Sequence, residues 1–473
     1  MVAATPILVR TPVSDVIDNR MTFGDDAYFL GEQVLGVPLT SQHTWWLDEP
    51  LSAAQLGLMH DRMLAGPMSR LVAPATVPQA RSRWVPAPVV DHLRVDTDVV
   101  QTRYVMRWFD DRLRDHLDPV RGPGWRLAAA PVSDGSQLVS FTTRHCIGDG
   151  SLIVRSIEAA VTGAAVPCLP DDTAGAHAVR TRDDLGDARR QLAAAGRAIG
   201  RAVRTARAQR KARIAAPEAP AHEAVQTPLR SKPTLPMRGI PGSDYIPPFC
   251  VVDLSVADWQ QAAATRGGTA NSLLMAFSAG LMVASGRVPS GSTVSVVLPT
   301  TRRGPDDWRS NVLGSASVPV HCTDKMYADL GPVRAASKAE FTRAADPQRA
   351  DVGQQLEPLL RVLPHWLLKR VAERMPAALV TCSNVGRMKP PLTGLGGPPA
   401  RSMMCRGVHR NVTQELMQSA GGGVTTWLQE FGDRMTLTVE SLQPDLIGDN
   451  GSLARLVLLE CERWGLTPLN IWS

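Results

Sequence analysis

The chain has 473 residues, 44% of them apolar and 20% charged, an ordinary globular balance that excludes a disordered or fibrous chain. Its length suits two or three domains of roughly 100–200 residues each. Lys and Arg total 51 against 45 acids, a formal +6 with a pI near 9.1. That excess fits nucleic acid, anionic lipid, a phosphorylated ligand or no partner until it is located.

The first part, residues 1–176, mixes helical and strand patterns. The opening stretch 1–9 is short and is closed off by Arg10 and Pro12, so it does not read as a leader. Leu51, Leu56, Met59 and Met63 recur at helical spacing. Residues 125–131 and 137–143 read as strands joined by a turn at Asp134-Gly135. From Gly150 a helix is expected, with Leu152, Ile153, Ile157, Ala160 and Val161 on one face.

Residues 177–245 differ sharply. Between 188 and 216 stand nine basic residues and no acid, from Arg189 to Arg213, and removing them leaves the rest of the chain at −3. On a helical wheel Leu185, Leu192, Ile199 and Val203 form a narrow stripe opposite Arg190, Arg197, Arg201 and Arg204. Six prolines from Pro217 to Pro241 then give linker composition. The segment is read as a basic helix and linker between two lobes. As a surface it suits solvent, anionic lipid, or the phosphates of CoA or of an acidic carrier protein. Nucleic acid is not expected, because the basic run carries no Tyr or Phe and no binding motif.

In residues 246–473, strands are expected at 249–254 and 294–298, and helices at 256–265 and 272–284. A hairpin turns at Phe431-Gly432-Asp433, and an amphipathic helix over 453–464 closes the chain. The longest mainly apolar stretch, 273–284, is short of the roughly 20 residues of a membrane span, so a cytoplasmic protein is expected, with peripheral attachment at the inner membrane face open. The seven cysteines are scattered without a C-x-x-C pair, and the ten histidines show no metal-binding spacing. No G-x-S-x-G elbow stands in the chain.

The chemistry concentrates in Arg144-His145-Cys146-Ile147-Gly148-Asp149-Gly150, directly after a strand and before a helix. Alternation puts Val139, Phe141, Thr143 and His145 on one face. A partly buried imidazole there stays neutral and accepts a proton. The plain alternatives are a packed core histidine, a helix N-cap at Asp149 and turn glycines at Gly148 and Gly150. Cys146 is not expected to pair with His145, since neighbours on a strand face opposite ways.

Together these residues spell H-x-x-x-D-G, which resembles the signature of the chloramphenicol acetyltransferase-like superfamily of acyltransferases. Carrier-protein condensation domains and bacterial wax ester synthase/diacylglycerol acyltransferases belong to it. Further segments resemble the wax ester synthase group in order: Asp25-Asp26-Ala27-Tyr28-Phe29-Leu30, Leu117-Asp118 with Trp125, and Gly268-Thr269-Ala270-Asn271-Ser272. Leu298-Pro299-Thr300-Thr301-Arg302 with Asn311-Val312-Leu313-Gly314, and Ser383-Asn384-Val385-Gly386, continue the series. The departures are Arg144 in place of a first histidine, Ser272 in place of an Asp, and no Pro-Gly-Pro after Gly386.

The resemblance implies an α/β (α+β) fold of two similar lobes with mixed sheets and an active-site tunnel between them. It implies His145 as general base, with Asp149, Gly150 and Arg302 supporting its loop. Ser383, Asn384, Asn271 and Asn311 are then candidates for oxyanion or acyl-donor contacts. No bound cofactor or metal is implied; acyl-CoA or an acyl-carrier protein is the co-substrate and an alcohol the acceptor. A condensation-type enzyme with a carrier-bound donor or amine acceptor, and a non-catalytic acyl-binding scaffold, stand as alternatives.

Overall fold

The computed structural model describes residues 19–88, 92–167, 177–215, 234–243, 245–345, 359–360, 362–373 and 378–473. Cys168, the prolines between 217 and 233, and the side chains of Arg210, Lys211 and Arg213 lie outside them.

The N-terminal half runs α1 (Phe23–Leu35), β1 (Leu39–Leu47), α2 (Ala53–Ala65), β2 (Arg70–Ala73), β3 (Arg83–Pro86), β4 (Leu93–Val95), α3 (Val105–Leu113), β5 (Trp125–Pro131), β6 (Gln137–Arg144) and α4 (Gly150–Thr162). A long helix α5 (His177–Ala215) follows. Then come β7 (Phe249–Ser255), α6 (Val256–Ala264), α7 (Ala270–Ala284), β8 (Thr293–Thr301), β9 (Leu313–His321), β10 (Val380–Arg387), β11 (Ser402–His409), β12 (Val424–Phe431), β13 (Arg434–Ser441) and β14 (Asn470–Trp472).

Local chemistry sets many of these ends. Thr22 caps α1 in a capping box with Asp25, and Gly36 ends it at φ 70°. Thr269 and Ser272 form the same box on α7, so Ser272 serves at that helix start where the family pattern has Asp. Eleven of the fifteen positions of α7 are buried, which makes it the central element of the second core rather than a surface helix.

Two mixed sheets organise the molecule. The first has the order β11-β1-β6-β5-β4 and the second β14-β7-β13-β12-β10-β8-β9, with β2-β3 as a separate ribbon. In the first sheet β4 and β5 run parallel and the other pairs antiparallel. In the second, β10 is parallel to both β12 and β8. The expected cut at residue 246 follows chain order, not sheet membership. Strand β11 lies beyond residue 400 yet pairs along β1, from Leu39↔His409 to Trp46↔Ser402.

Helix α5 docks on the N-terminal half through acids. Asp184 pairs with Arg20 at 2.7 Å and Arg83 at 2.5 Å, and Asp187 with Arg81 at 2.9 Å. Its first turns are therefore attached to the body rather than free connector. The stripe Leu185, Leu192, Ile199 and Val203 is exposed.

Candidate active site

Strand β6 ends at Arg144, and the next residues curl into a turn closed by Ile147 N–H donating to the Arg144 carbonyl at 3.0 Å. His145 keeps one strand-like bond, its N–H to the Leu39 carbonyl at 2.9 Å. Arg144 itself turns away, donating to Thr40 Oγ1 at 3.0 Å and the Leu117 carbonyl at 2.9 Å. The residue in the place of a first histidine therefore braces the loop. At Gly148 a Cβ would lie 2.9 Å from Leu152 Cδ2 and 3.2 Å from Met68 Sδ, so the loop passes too close for a larger residue without a shift. At Gly150 a Cβ would meet nothing within 4 Å, and the structure shows no steric need for glycine there.

Asp149 combines two roles. It is the N-cap of α4, Oδ1 accepting from Leu152 N–H at 2.9 Å. Its Oδ2 accepts from Arg303 Nη2 at 2.8 Å and Val312 N–H at 3.0 Å. Both side chains of the ion pair are 1% exposed. Arg303 also donates to the carbonyls of Asp307, Arg309 and Ser310, which offsets the cost of burying the pair. Arg302, the expected partner, is exposed. Its N–H follows the β9 ladder to the Val312 carbonyl, and its neighbour is the residue that turns inward.

Asn311 clamps the same loop from behind. Its Nδ2 lies 3.1 Å from the His145 carbonyl, 3.0 Å from the Cys146 carbonyl and 3.0 Å from Asp25 Oδ1. That amide is committed to the loop, which corrects the expectation of an oxyanion or donor contact. Asp25 is completely buried; it accepts from Asn311 N–H at 2.8 Å and Thr22 N–H at 2.7 Å. Burial pushes its carboxyl up, against those bonds.

The His145 ring stacks on Tyr28, centroids 4.1 Å apart. Burial lowers the imidazole below its ordinary value, with the Asp149 charge acting in the opposite sense. Nδ1 is buried and has no hydrogen-bond partner among the described residues. Desolvation, with the Asp149 charge adding, pushes the Tyr28 hydroxyl up to about 12. Burial and repulsion from His145 bring His43 down to about 4. His409 pairs in register with Leu39, the residue whose carbonyl holds His145. Two neutral imidazoles, His43 and His145, thus share one region of the first sheet. A narrow cavity of about 10 Å³, room for roughly one water, lies beside His43, walled by Trp45, Val154, Ile157, Met388, Leu392 and Met403 among others.

The remaining candidates sit on the second sheet. Asn384 Nδ2 donates to Asn271 Oδ1 at 2.6 Å, and Asn384 Oδ1 accepts from Gly386 N–H at 2.9 Å across a bulge in β10. Ser383 faces the other way, in register with Trp427, whose ring lies 3.7 Å from a Cβ built on Gly407 of β11. Adjacent strand residues take opposite faces, so Ser383 looks toward the first lobe and Asn384 toward the start of α7. Neither shares a hydrogen bond with the His145 loop. Asp25, Tyr28 and Arg303 are site residues that the sequence reading missed as such. Asp25 and Tyr28 stand one helical turn apart in the Asp25–Leu30 segment, and that spacing is the sequence signal that sets them on one face. Among the described residues no group of three or more His, Cys, Asp or Glu is placed to hold a metal ion.

No protein-family model matches the chain, and no curated protein matches it significantly in sequence. Solved structures do match in fold. The first condensation domain of the CDA synthetase is 16% identical at a TM-score of 0.55, over 96% of this chain and 99% of that one. The wax ester synthase/diacylglycerol acyltransferase from Marinobacter aquaeolei VT8 is 12% identical at 0.53, over 94% and 100%. Polyketide synthase associated protein 5 from Mycobacterium tuberculosis is 12% identical at 0.51, over 95% and 98%. The fold is therefore that of condensation domains and their chloramphenicol acetyltransferase-like relatives, in two lobes.

Proposed function

We propose that this protein is an acyltransferase that moves an acyl group from a thioester to an alcohol, with His145 as general base. The observation that carries the reading is the state of that ring: neutral, stacked on Tyr28, sealed at Nδ1 and on a loop clamped by Asn311 and Asp149. A fixed neutral imidazole suits proton abstraction near neutral pH. Nε2 takes the proton of the acceptor hydroxyl as its oxygen attacks the thioester carbonyl. The tetrahedral intermediate collapses, the C–S bond breaks, and the departing thiolate takes the proton back from His145. An ester and a free thiol result, with no covalent enzyme intermediate. Ser383, on the side of β10 that looks across to β11, is the better placed of the two strand candidates to meet the oxyanion.

Acyl-CoA is the proposed donor. The likeness to condensation domains supports a second reading, in which the donor is carrier-bound or the acceptor is an amine. His145 has the same role in both.

The test is release of free thiol from a panel of acyl-CoA donors with alcohols, and in a parallel arm with amines. His145→Ala should lower turnover by about 10²–10⁴-fold, the usual share of a general base, at an unchanged melting temperature. Turnover equal to wild type in that variant sinks the mechanism; no turnover by the wild-type chain with any donor favours the non-catalytic scaffold. The wild-type rate should hold level near neutral pH and fall only below the ordinary histidine value of about 6.5, since burial has moved the ring downward.

A further inference from the structure

Helix α5 is mounted with its apolar side outward. The side toward the body carries acids and alanines: Asp184 and Asp187 are at most 1% exposed, and Ala188, Ala195 and Ala198 are 4–6% exposed. The ion pairs of Asp184 and Asp187 with Arg20, Arg83 and Arg81 fix that orientation. On the outer side Leu185, Leu192, Ile199 and Val203 stand 42–52% exposed. Single exposed apolar side chains are ordinary, but a straight line of four at helical spacing marks a contact surface. The line runs from Leu185 to Val203, a rise of about 27 Å along an α-helix.

Charge selects the occupant. Arg189, Arg190, Arg197, Arg201, Arg204 and Arg207 are all exposed, Arg189 and Arg207 beside the line and the other four on the far side of the outer surface from it, and no acid stands between 188 and 207. Gly196, Gly200 and Ala193 lie between stripe and arginines, so the surface is flat. A long, straight, flat strip with hydrocarbon along one edge and cations along the other matches a surface that offers negative charge above hydrocarbon. That is an anionic bilayer. An acidic protein would need an apolar groove of the same length. No helix among the described residues is long and apolar enough to cross a membrane, so the contact lies in the plane of the surface.

We propose that α5 lies along an anionic membrane surface, with the Leu185–Val203 line seated below the headgroups and the arginines among the phosphates. The proposal is independent of the chemistry at His145.

The full chain should cosediment with vesicles of phosphatidylglycerol and phosphatidylcholine, and not with phosphatidylcholine alone, with binding falling as salt rises. Each arginine near such a surface is worth roughly fivefold in partitioning, so Arg197→Glu, Arg201→Glu and Arg204→Glu combined should cost more than about a hundredfold. Leu192→Ser with Ile199→Ser should cost about tenfold or more, through the apolar area withheld from the bilayer. All five positions are exposed, and unchanged melting temperatures check that the variants fold. Equal binding to neutral and anionic vesicles, or wild-type binding by the charge-reversed variant, overturns the proposal. Loss on charge reversal with no effect of the serine pair also overturns it, and points to an acidic protein partner instead.

Discussion

At the scale of single residues, the site depends on how two buried polar groups are satisfied. Asp149 and Arg303 are a desolvated pair; Asp149 is bonded by Arg303 and backbone N–H groups, and Arg303 by Asp149 and backbone carbonyls, with its Nε left buried without a partner among the described residues. Removing one member leaves the other buried without its counter-charge, a loss of about 3–5 kcal/mol for pairs of this kind. Asp149→Asn keeps an N-cap oxygen but loses the charge, so melting temperature and activity should fall together. Activity lost at an unchanged melting temperature would mean that Asp149 acts on substrate directly. Arg303→Lys should also fall in both, because an ammonium cannot span the Asp149 carboxylate and the surrounding carbonyls at once. The motif made Asp149 legible; the choice between Arg302 and Arg303 was not, since it depends on how the chain leaves β8.

At the scale of elements, one loop does most of the positioning. The connection between β8 and β9 supplies Arg303 to Asp149, Asn311 to the carbonyls of His145 and Cys146, and Val312 N–H to Asp149. The second lobe thus holds the His145 loop of the first lobe through its carbonyls and through Asp149. Asn311→Ala would free those carbonyls and leave Asp25 with fewer donors, at a cost of roughly 2–3 kcal/mol for groups that stay buried. Because the imidazole itself is untouched, kcat should fall more than KM changes, measured by steady-state kinetics beside thermal melting. A fall confined to KM would place Asn311 in substrate binding instead. Strands β5 and β6, helix α4 and the β12–β13 hairpin were all legible, because each is set by local spacing and turn residues. Helix α5 was legible as an amphipathic helix, but the face that turns inward was chosen by ion pairs with Arg20, Arg81 and Arg83.

At the scale of the whole molecule, the lobes are joined by crossing rather than by contact alone. Arg406 on β11 has a fully buried side chain that covers the Phe249 ring at 3.6 Å and donates to Gln42 and Asp110, each at 2.8 Å. Glu440 of β13 is buried nearby, and burial pushes its carboxyl up to about 8, with Arg406 only partly offsetting this. A carboxyl raised in the folded state contributes stability that is fully present below about pH 4.5 and is lost as pH rises toward 8. Glu440→Gln, which fixes the neutral form, should therefore gain several kcal/mol over wild type at pH 8 and little at pH 5, read from urea unfolding. His43 runs the other way. Its lowered value makes stability fall as pH drops from about 6.5 toward 4, a slope that the glutamine variant should retain. The same variant gaining nothing at pH 8 would show that Glu440 is ionised in the fold.

The sequence by itself determined the strand-turn-helix around His145, the capping of α4 by Asp149, the apolar centre at α7 and the concentration of positive charge between 188 and 216. Each depends on residues a few positions apart, whose spacing dictates the backbone they adopt. Only the tertiary structure decided that Arg303 pairs with Asp149, that Asn311 and Asp25 clamp the loop, that β11 completes the first sheet and that α5 faces outward. Those contacts join residues 154, 166 and 286 positions apart in the loop clamp alone. Buried hydrogen bonding is satisfied by whichever groups the packed lobes bring together, and no local spacing records that meeting.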